Sequence, residues 1–108
     1  MPPDAVKTYQ VIRSLDVDAI MREIVQQRET RSGARGAEKL LDSFERTFQS
    51  LESFPLLGRS ADDEILHAKG YRKIAVAEFI VLYRVELLTK RVIIVHVYHQ
   101  RENLEGLV

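Results

Sequence analysis

Residues 71–98 read YRKIAVAEFIVLYRVELLTKRVIIVHVY, and this run shows the two-residue alternation of β-structure. It predicts three strands, over residues 71–76, 79–87 and 91–98. Between them, Ala77-Glu78 is expected to be a tight connection and Leu88-Thr89-Lys90 a turn. The last strand is almost entirely apolar, which is typical of a central strand buried on both faces. This part of the chain therefore predicts a small sheet in which antiparallel neighbours dominate.

Two amphipathic helices are predicted upstream of this run, because apolar residues there recur with the helical period. The first apolar stripe consists of Val17, Ile20, Met21, Ile24 and Val25. The second consists of Ala37, Leu40, Leu41, Phe44, Phe48 and Leu51. Residues 30–36 are polar, break the pattern and predict a turn between the helices. Two helices joined this way are expected to form an antiparallel hairpin.

The ends of these helices and the segments around them complete the predicted order. Asp16 is expected to cap the first helix. Pro55 ends the second, because proline disfavours helical geometry in the residue before it. Residues 8–14 alternate and predict a first strand, residues 56–70 a polar loop, and residues 1–7 a short tail. The fold class is therefore α+β: a small antiparallel-rich sheet packed against an N-terminal helical hairpin, in the order β-α-α-β-β-β, as one domain over residues 1–108.

The composition excludes several classes of function. The 108 residues contain no cysteine, so disulfides, cysteine-bound zinc and thiol catalysis are ruled out. The first ten residues lack the apolar core of a signal peptide, and the longest apolar run, residues 92–95, is too short to span a bilayer. A cytoplasmic protein is expected. The chain also lacks phosphate-loop, dinucleotide and catalytic-serine motifs, so no cofactor and no metal is predicted.

Charge is balanced overall but unevenly distributed. The chain carries 16 basic and 16 acidic residues, which argues against general polyanion binding. From Lys69 to Arg101, however, seven basic and two acidic residues give a local charge of +5. This segment is either a basic binding surface or a sheet whose solvent face uses lysine and arginine. The sequence favours neither interpretation.

Four short segments carry a family resemblance. They are LESFPLLG at residues 51–58, GYRKI at 70–74, IVLYRV at 80–85 and IVHVYHQRENL at 94–104. In this order and spacing they resemble the helix exit, two strands and terminal strand of the RelE/ParE toxin superfamily, whose members include plasmid stabilisation proteins. The resemblance extends from Tyr9 to about Leu107. It implies the RelE/ParE fold and a toxin of a type II toxin–antitoxin system that inhibits bacterial growth.

The resemblance also implies partners and two alternative targets. A cognate antitoxin protein would neutralise the toxin, in a hetero-oligomer with it. ParE-like members bind DNA gyrase and block it, whereas RelE-like members enter the ribosome and cut mRNA without a metal. A third alternative is a non-toxic relative that retains only antitoxin binding. No membrane partner is implied.

Candidate site residues follow from the nuclease branch of the superfamily. RNA cleavage through the 2′-hydroxyl needs a base, an acid and cations on the phosphate. His99 and Arg101 match the family positions of a catalytic histidine and a phosphate-binding arginine, and imidazoles exchange protons near neutral pH. Arg72, Lys73 and Arg84 are the candidates for binding RNA or another target. Glu64 or Glu78 could serve as the base, although nothing in the sequence selects either.

Three departures favour the gyrase-binding alternative or a weakened nuclease. Ile80 stands where the nucleases carry an arginine, three residues before the strand tyrosine Tyr83. The chain ends EGLV at residues 105–108, without the terminal tyrosine of several nucleases. Its zero net charge also differs from the basic ribosome-dependent nucleases. We therefore expect a ParE-like gyrase inhibitor, with the mRNA endonuclease as the alternative.

Each candidate also has a purely structural interpretation. His99 could be a surface residue hydrogen-bonded at a strand end, His96 a half-buried imidazole and His67 a solvated loop residue. Tyr71 and Tyr83 are expected to pack on the sheet with their hydroxyls at its edge. Arg84 and Arg91 could be outward-facing sheet residues. The acidic run at residues 62–64 is expected to be a solvated loop rather than a metal site.

Overall fold

A computed structural model of the protein describes residues 8–62 and 64–102. Its elements, in chain order, are β1 (Gln10–Arg13), α1 (Leu15–Ser53), β2 (Arg59–Ser60), α2 (Glu64–Ala68), β3 (Tyr71–Val76), β4 (Phe79–Glu86) and β5 (Arg91–His99). The predicted tail at residues 1–7, Asp63 and the final residues 103–108 lie outside the described residues. The α+β architecture expected from the sequence is confirmed.

The sheet is mixed and has the strand order β1-β5-β4-β3-β2. β1 pairs with β5 in parallel, and the other neighbours are antiparallel. The apolar strand β5 is an interior strand, between β1 and β4, and the middle strand of the sheet is β4. The connection at residues 77–78 and the turn before β5 are also present, with Ala77 and Lys90 in the left-handed region at φ 52 and 54. The prediction of a polar loop over residues 56–70 was wrong, because this segment contains both β2 and α2.

The cap of the first helix lies two residues before the predicted one. Ser14 is the N-cap, and its hydroxyl accepts a hydrogen bond from the Val17 backbone N–H at 3.1 Å. Asp16, predicted as the cap, lies inside the first turn instead, where its negative charge favours the helix dipole. Serine and aspartate are nearly equivalent as caps, so the pattern alone did not separate them. At the other end the helix stops at Ser53, just before Pro55.

Helix α1 is folded back on itself at Gly33. Only that residue departs from helical geometry, with φ 78 and ψ 177, so the predicted seven-residue turn is in fact a single-residue break. The guanidinium of Arg13 lies 3.4 Å from Asp18 and 3.3 Å from Glu45. In a straight helix those two carboxylates would be about 40 Å apart. The shared arginine therefore confirms the antiparallel hairpin.

The sheet carries a core on each face. The larger core packs both halves of α1 on the sheet: Val17, Met21, Leu40, Phe44, Phe48, Leu51, Val76, Val81, Tyr83, Val92, Ile94 and Val97. The smaller core on the other face consists of Ala61, Leu66, Leu82 and Tyr98, flanked by Tyr71, Ile80 and Val95. Because α2 supplies Leu66, the segment predicted as a polar loop covers part of the second sheet face. In the described part of the chain, no helix is both long and apolar enough to cross a membrane.

Candidate functional site

The strand register places the predicted binding residues on opposite faces of the sheet. Arg72 pairs with Tyr83, which belongs to the helix-side core. Lys73 pairs with Leu82, which belongs to the core on the other face. Arg84 pairs with Tyr71 on that same second face. Because side chains alternate along a strand, Arg72 and Lys73 cannot contact one phosphate together.

Arg72 is used to hold the segment that follows α1. Its Nη1 donates to the backbone carbonyl of Gly58 at 2.5 Å and approaches that of Leu56 at 3.5 Å. The side chain is half-buried, so these carbonyls take up part of its hydrogen-bonding capacity in a partly dry setting. Arg72 therefore binds backbone carbonyls of this protein itself.

Tyr83 holds the same segment from beneath. Its ring is fully buried, and its hydroxyl accepts a hydrogen bond from the Gly58 N–H at 2.7 Å. Burial raises the pKa of Tyr83, while the Gly58 hydrogen bond and the nearby Arg72 charge act in the opposite direction. The predicted edge position of this hydroxyl was wrong: it points under a loop. A Cβ at position 58 would lie 2.6 Å from the Lys73 carbonyl oxygen and 2.7 Å from the Tyr83 hydroxyl, so only glycine fits.

The other two predicted cations are paired with carboxylates. Lys73 Nζ lies 3.5 Å from Asp62, and Arg84 Nη1 lies 2.8 Å from Glu86. Glu86 also receives Arg91 at 2.9 Å and the Thr89 hydroxyl at 2.9 Å. The hydrogen bonds from Arg84 and then Thr89 lower the pKa of Glu86 below its ordinary value. Arg84 and Arg91 thus form a carboxylate-centred network at the β4–β5 turn.

His99 and Arg101 lie at the opposite end of the sheet from this turn. His99 ends β5, and its ring meets the edge of Phe79 with centroids 5.6 Å apart. Its Nδ1 accepts a hydrogen bond from the Arg101 backbone N–H at 3.1 Å. The backbone N–H of His99 donates to the Glu102 carboxylate at 3.2 Å. The Arg101 side chain is exposed in the turn that follows. This arrangement matches the structural interpretation of His99 as a residue hydrogen-bonded at a strand end.

His99 lines a cleft of about 280 Å³ between the first half of α1 and the ends of β4 and β5. Arg28 of α1 forms an ion pair with Glu78 across this cleft, and both side chains are half-buried. Glu78, a candidate base, is therefore near His99, whereas Glu64 begins α2. Sequence reasoning missed Arg28. The available signal was its spacing, because it continues the half-buried stripe of Ile20 and Ile24 by one further turn.

The five predicted site residues do not form one site. His99 pairs with Phe79 and Phe79 with Val76, while Arg72 lies four residues further along β3. The separation is roughly 13 Å along the strands and about 10 Å across them. Lys73 and Arg84 are neighbours on the second face, apart from both. Within the described residues, no three histidine or acidic side chains come together so as to hold a metal ion.

The remaining histidines take structural positions. His96 is half-buried on the second face, as predicted, and stacks on Tyr98 with ring centroids 5.8 Å apart. Burial raises the pKa of Tyr98, against the effect of the Arg59 charge. His67 is exposed, but it lies in α2 and not in a loop.

Comparison with known proteins agrees with the architecture. The family described as the ParE toxin of type II toxin–antitoxin system, parDE, matches residues 11–104. Among solved structures, the chromosomal ParDE system of P. aeruginosa is similar at 16% identity and TM-score 0.69, covering 87% of this chain and 98% of that one. The RelBE2 toxin–antitoxin complex of Mycobacterium tuberculosis is similar at 22% identity and TM-score 0.56, covering 85% and 98%. No curated protein matches by sequence.

These findings confirm the superfamily predicted from the four sequence segments. The fold is that of RelE/ParE toxins, the toxic components of type II toxin–antitoxin systems. Within that superfamily, the chain belongs to the ParE toxin family.

Proposed function

We propose that this protein inhibits bacterial growth by binding DNA gyrase, as a ParE-like toxin, rather than by cutting mRNA. The observation that supports this most directly is the scatter of the predicted nuclease residues. Arg72 and Lys73 lie on opposite faces of the sheet, and His99 is at the far end from Arg72. A ribonuclease needs base, acid and phosphate-binding cations within contact of one scissile bond.

The present contacts of the three candidate cations support the same proposal. Arg72 donates to backbone carbonyls, Lys73 faces Asp62, and Arg84 faces Glu86. Binding a phosphate would require these side chains to exchange their present partners. Ile80, at the position where the nucleases carry an arginine, is a half-buried member of the second-face core. A binding-type toxin needs none of these groups to act on a phosphate.

We further propose a cognate antitoxin as the physiological partner, in a hetero-oligomer. The two similar structures are a toxin–antitoxin system and a toxin–antitoxin complex. Exposed large apolar side chains such as Leu41 and Ile65 are consistent with a toxin that is normally partly covered.

Two measurements test the target. The purified protein is expected to block supercoiling by bacterial DNA gyrase. After induction of the protein alone, ribosome-bound mRNA is expected to show no new 5′ ends. The variants His99→Ala and Arg101→Ala should retain growth arrest. New 5′ ends clustered in ribosomal A-site codons, lost in both variants, would establish the nuclease in place of the gyrase inhibitor.

A further inference from the structure

Five large apolar side chains are exposed on two segments of the chain. Phe54, Leu56 and Leu57 follow α1, and Leu87 and Leu88 form the β4–β5 turn; their exposed fractions are 61%, 56%, 54%, 64% and 101%. We call this set the apolar end surface. Turns ordinarily use glycine, asparagine, aspartate, serine or proline, so two leucines at a turn tip are unusual.

Backbone hydrogen bonds link the end of α1 to the β4–β5 turn through the beginning of β1. The N–H groups of Thr8 and Tyr9 both donate to the Glu52 carbonyl at 3.0 Å, which joins the last turn of α1 to the beginning of β1. The next residue, Gln10, donates to the Lys90 carbonyl of the β4–β5 turn at 3.0 Å. Phe54 and Leu88 therefore lie only a few residues from this shared junction.

Both segments are fixed in place by polar contacts beneath them. The first is held by Tyr83 and Arg72 through Gly58, and by the Leu57 N–H, which donates to the Phe54 carbonyl at 3.1 Å. The second is held by Glu86, which joins Arg84, Arg91 and Thr89 across the turn. A backbone that is already held in one conformation loses little entropy when a partner covers the segment. This is the behaviour expected of a binding surface.

The charges around the surface select the partner's chemistry. The turn region contains three cations, Arg84, Lys90 and Arg91, and one carboxylate, Glu86, so its net charge is +2. A symmetric contact between two copies of this chain would bring equal cationic turns together, which is unfavourable. Nucleic acid would match the charge but not five exposed apolar side chains. A protein with an apolar groove bordered by carboxylates matches both.

We propose that the apolar end surface is where this toxin docks on its growth-inhibiting protein target, through a groove that is apolar inside and acidic at its rim. This inference rests on the proposed function in assuming a protein target, and under that proposal the target is DNA gyrase. Leu87 and Leu88 enter the groove, Phe54, Leu56 and Leu57 cover its side, and Lys90 faces a carboxylate.

The test compares matched serine variants of the full-length protein. Leu88→Ser and Leu57→Ser alter the apolar end surface, and Leu15→Ser is the control, because Leu15 is 86% exposed but lies past the far end of β1. Growth arrest after induction and inhibition of purified gyrase are measured for each, with thermal unfolding to confirm that each variant is folded. Leu88→Ser is expected to weaken both activities at least tenfold, and Leu15→Ser neither.

A charge variant tests the rim. Lys90→Glu is expected to weaken the activity by about tenfold or more, and to weaken its dependence on salt. Lys39→Glu, at an exposed site on α1, is the control. If the folded Leu88→Ser and Lys90→Glu variants arrest growth as the wild type does, the inference is overturned.

The remaining outcomes separate the inference from the proposed function. If the wild type arrests growth without inhibiting gyrase, and Leu88→Ser abolishes the arrest, the docking surface is supported and the gyrase proposal fails. If the wild type, Leu88→Ser and Lys90→Glu inhibit gyrase equally, gyrase is supported as the target and the proposed docking surface is contradicted. A wild-type protein that neither arrests growth nor inhibits gyrase contradicts both. If the protein is a dimer in solution and Leu88→Ser converts it to a monomer, the surface binds a second copy of this chain and the inference of a target-docking surface is overturned.

Discussion

Gly58 shows how one residue without a side chain positions a whole segment. Its N–H donates to the Tyr83 hydroxyl, its carbonyl accepts from Arg72, and the space beside its Cα is filled by Lys73 backbone and the Tyr83 ring. The family-like segment LESFPLLG thus ends at the residue where α1 is tied to the sheet. The sequence places a glycine after the proline, but only the structure shows which buried hydroxyl it meets.

Removing that hydroxyl should destabilise the fold measurably. In Tyr83→Phe the buried Gly58 N–H loses its acceptor, and the free energy of unfolding is expected to fall by about 1–3 kcal/mol. Urea denaturation of the two proteins provides the measurement. Tyr71→Phe, on a half-buried tyrosine of the same sheet, is the matched control and should change little. Equal stabilities of Tyr83→Phe and the wild type would show that the hydroxyl contributes nothing net.

Glu86 should make stability depend on pH in the acidic range. Hydrogen bonds from Arg84 and Thr89 hold its folded-state pKa below the ordinary 4.5. A carboxyl with a depressed pKa stabilises the folded state above its unfolded pKa, and this contribution is lost as the pH falls through the folded value. The Tm difference between the wild type and Glu86→Gln is therefore expected to be greatest near neutrality and to shrink below about pH 4. A difference that stays constant across this range would contradict the assignment.

The helical hairpin depends on a conformation that only glycine adopts readily. Gly33 has φ 78 and ψ 177, and a Cβ there would meet nothing within 4 Å. A substitution is therefore opposed by backbone strain alone, without a clash. Such conformations cost non-glycine residues on the order of 1–3 kcal/mol.

Gly33→Ala is accordingly expected to lower the free energy of unfolding by about 1–3 kcal/mol. Asparagine, which tolerates the left-handed helical region, should not restore stability, because ψ 177 lies outside that region. Ser32→Ala, at the exposed neighbouring position, is the control. Chemical denaturation measures all three, and a Gly33→Ala protein as stable as the control would mean that the hairpin tolerates another geometry at its bend.

Long periodic elements were predictable, and short ones were not. The three strands from Tyr71 onward and both stripes of α1 carry enough repeats to identify their period. The strand bounds differ from the predicted ones by one residue at most, whereas both halves of α1 continue three residues further toward Gly33 than predicted. β2 has two residues and α2 has five, too few for a period to appear. Their positions depend on tertiary contacts, such as Leu66 against Tyr71 and Leu82. The break at Gly33 was visible only as a polar stretch.

The candidate site was harder to predict than the fold, for a geometric reason. Arg72 and Lys73 are adjacent in sequence, so a sequence pattern groups them, yet adjacent strand residues face opposite sides of a sheet. Arg28 and Glu78 are far apart in sequence and meet across the cleft, which no local pattern indicates. The family resemblance predicted which residue types stand near the ends of the strands. It did not predict the carboxylates that these cations meet, Asp62 and Glu86, because those contacts depend on how the strands pair.

The molecule as a whole combines zero net charge with a concentrated apolar surface. Its isoelectric point is about 6.8, so near neutral pH there is little electrostatic repulsion between copies. The apolar end surface contains five of the exposed large apolar side chains. Proteins with such patches and no net charge tend to associate.

The isolated protein should therefore be least soluble near pH 6.8 and more soluble toward pH 9, where it is negatively charged. At neutral pH, Leu88→Ser is expected to raise its solubility more than Leu15→Ser, although both remove an exposed leucine. The physical reason is that association needs neighbouring apolar side chains, and Leu88 is next to the exposed Leu87 whereas Leu15 stands alone in its segment. Light scattering during concentration at pH 7 measures the difference. Equal gains from the two variants would mean that total apolar exposure, rather than the adjacency of exposed leucines, governs self-association of the free toxin.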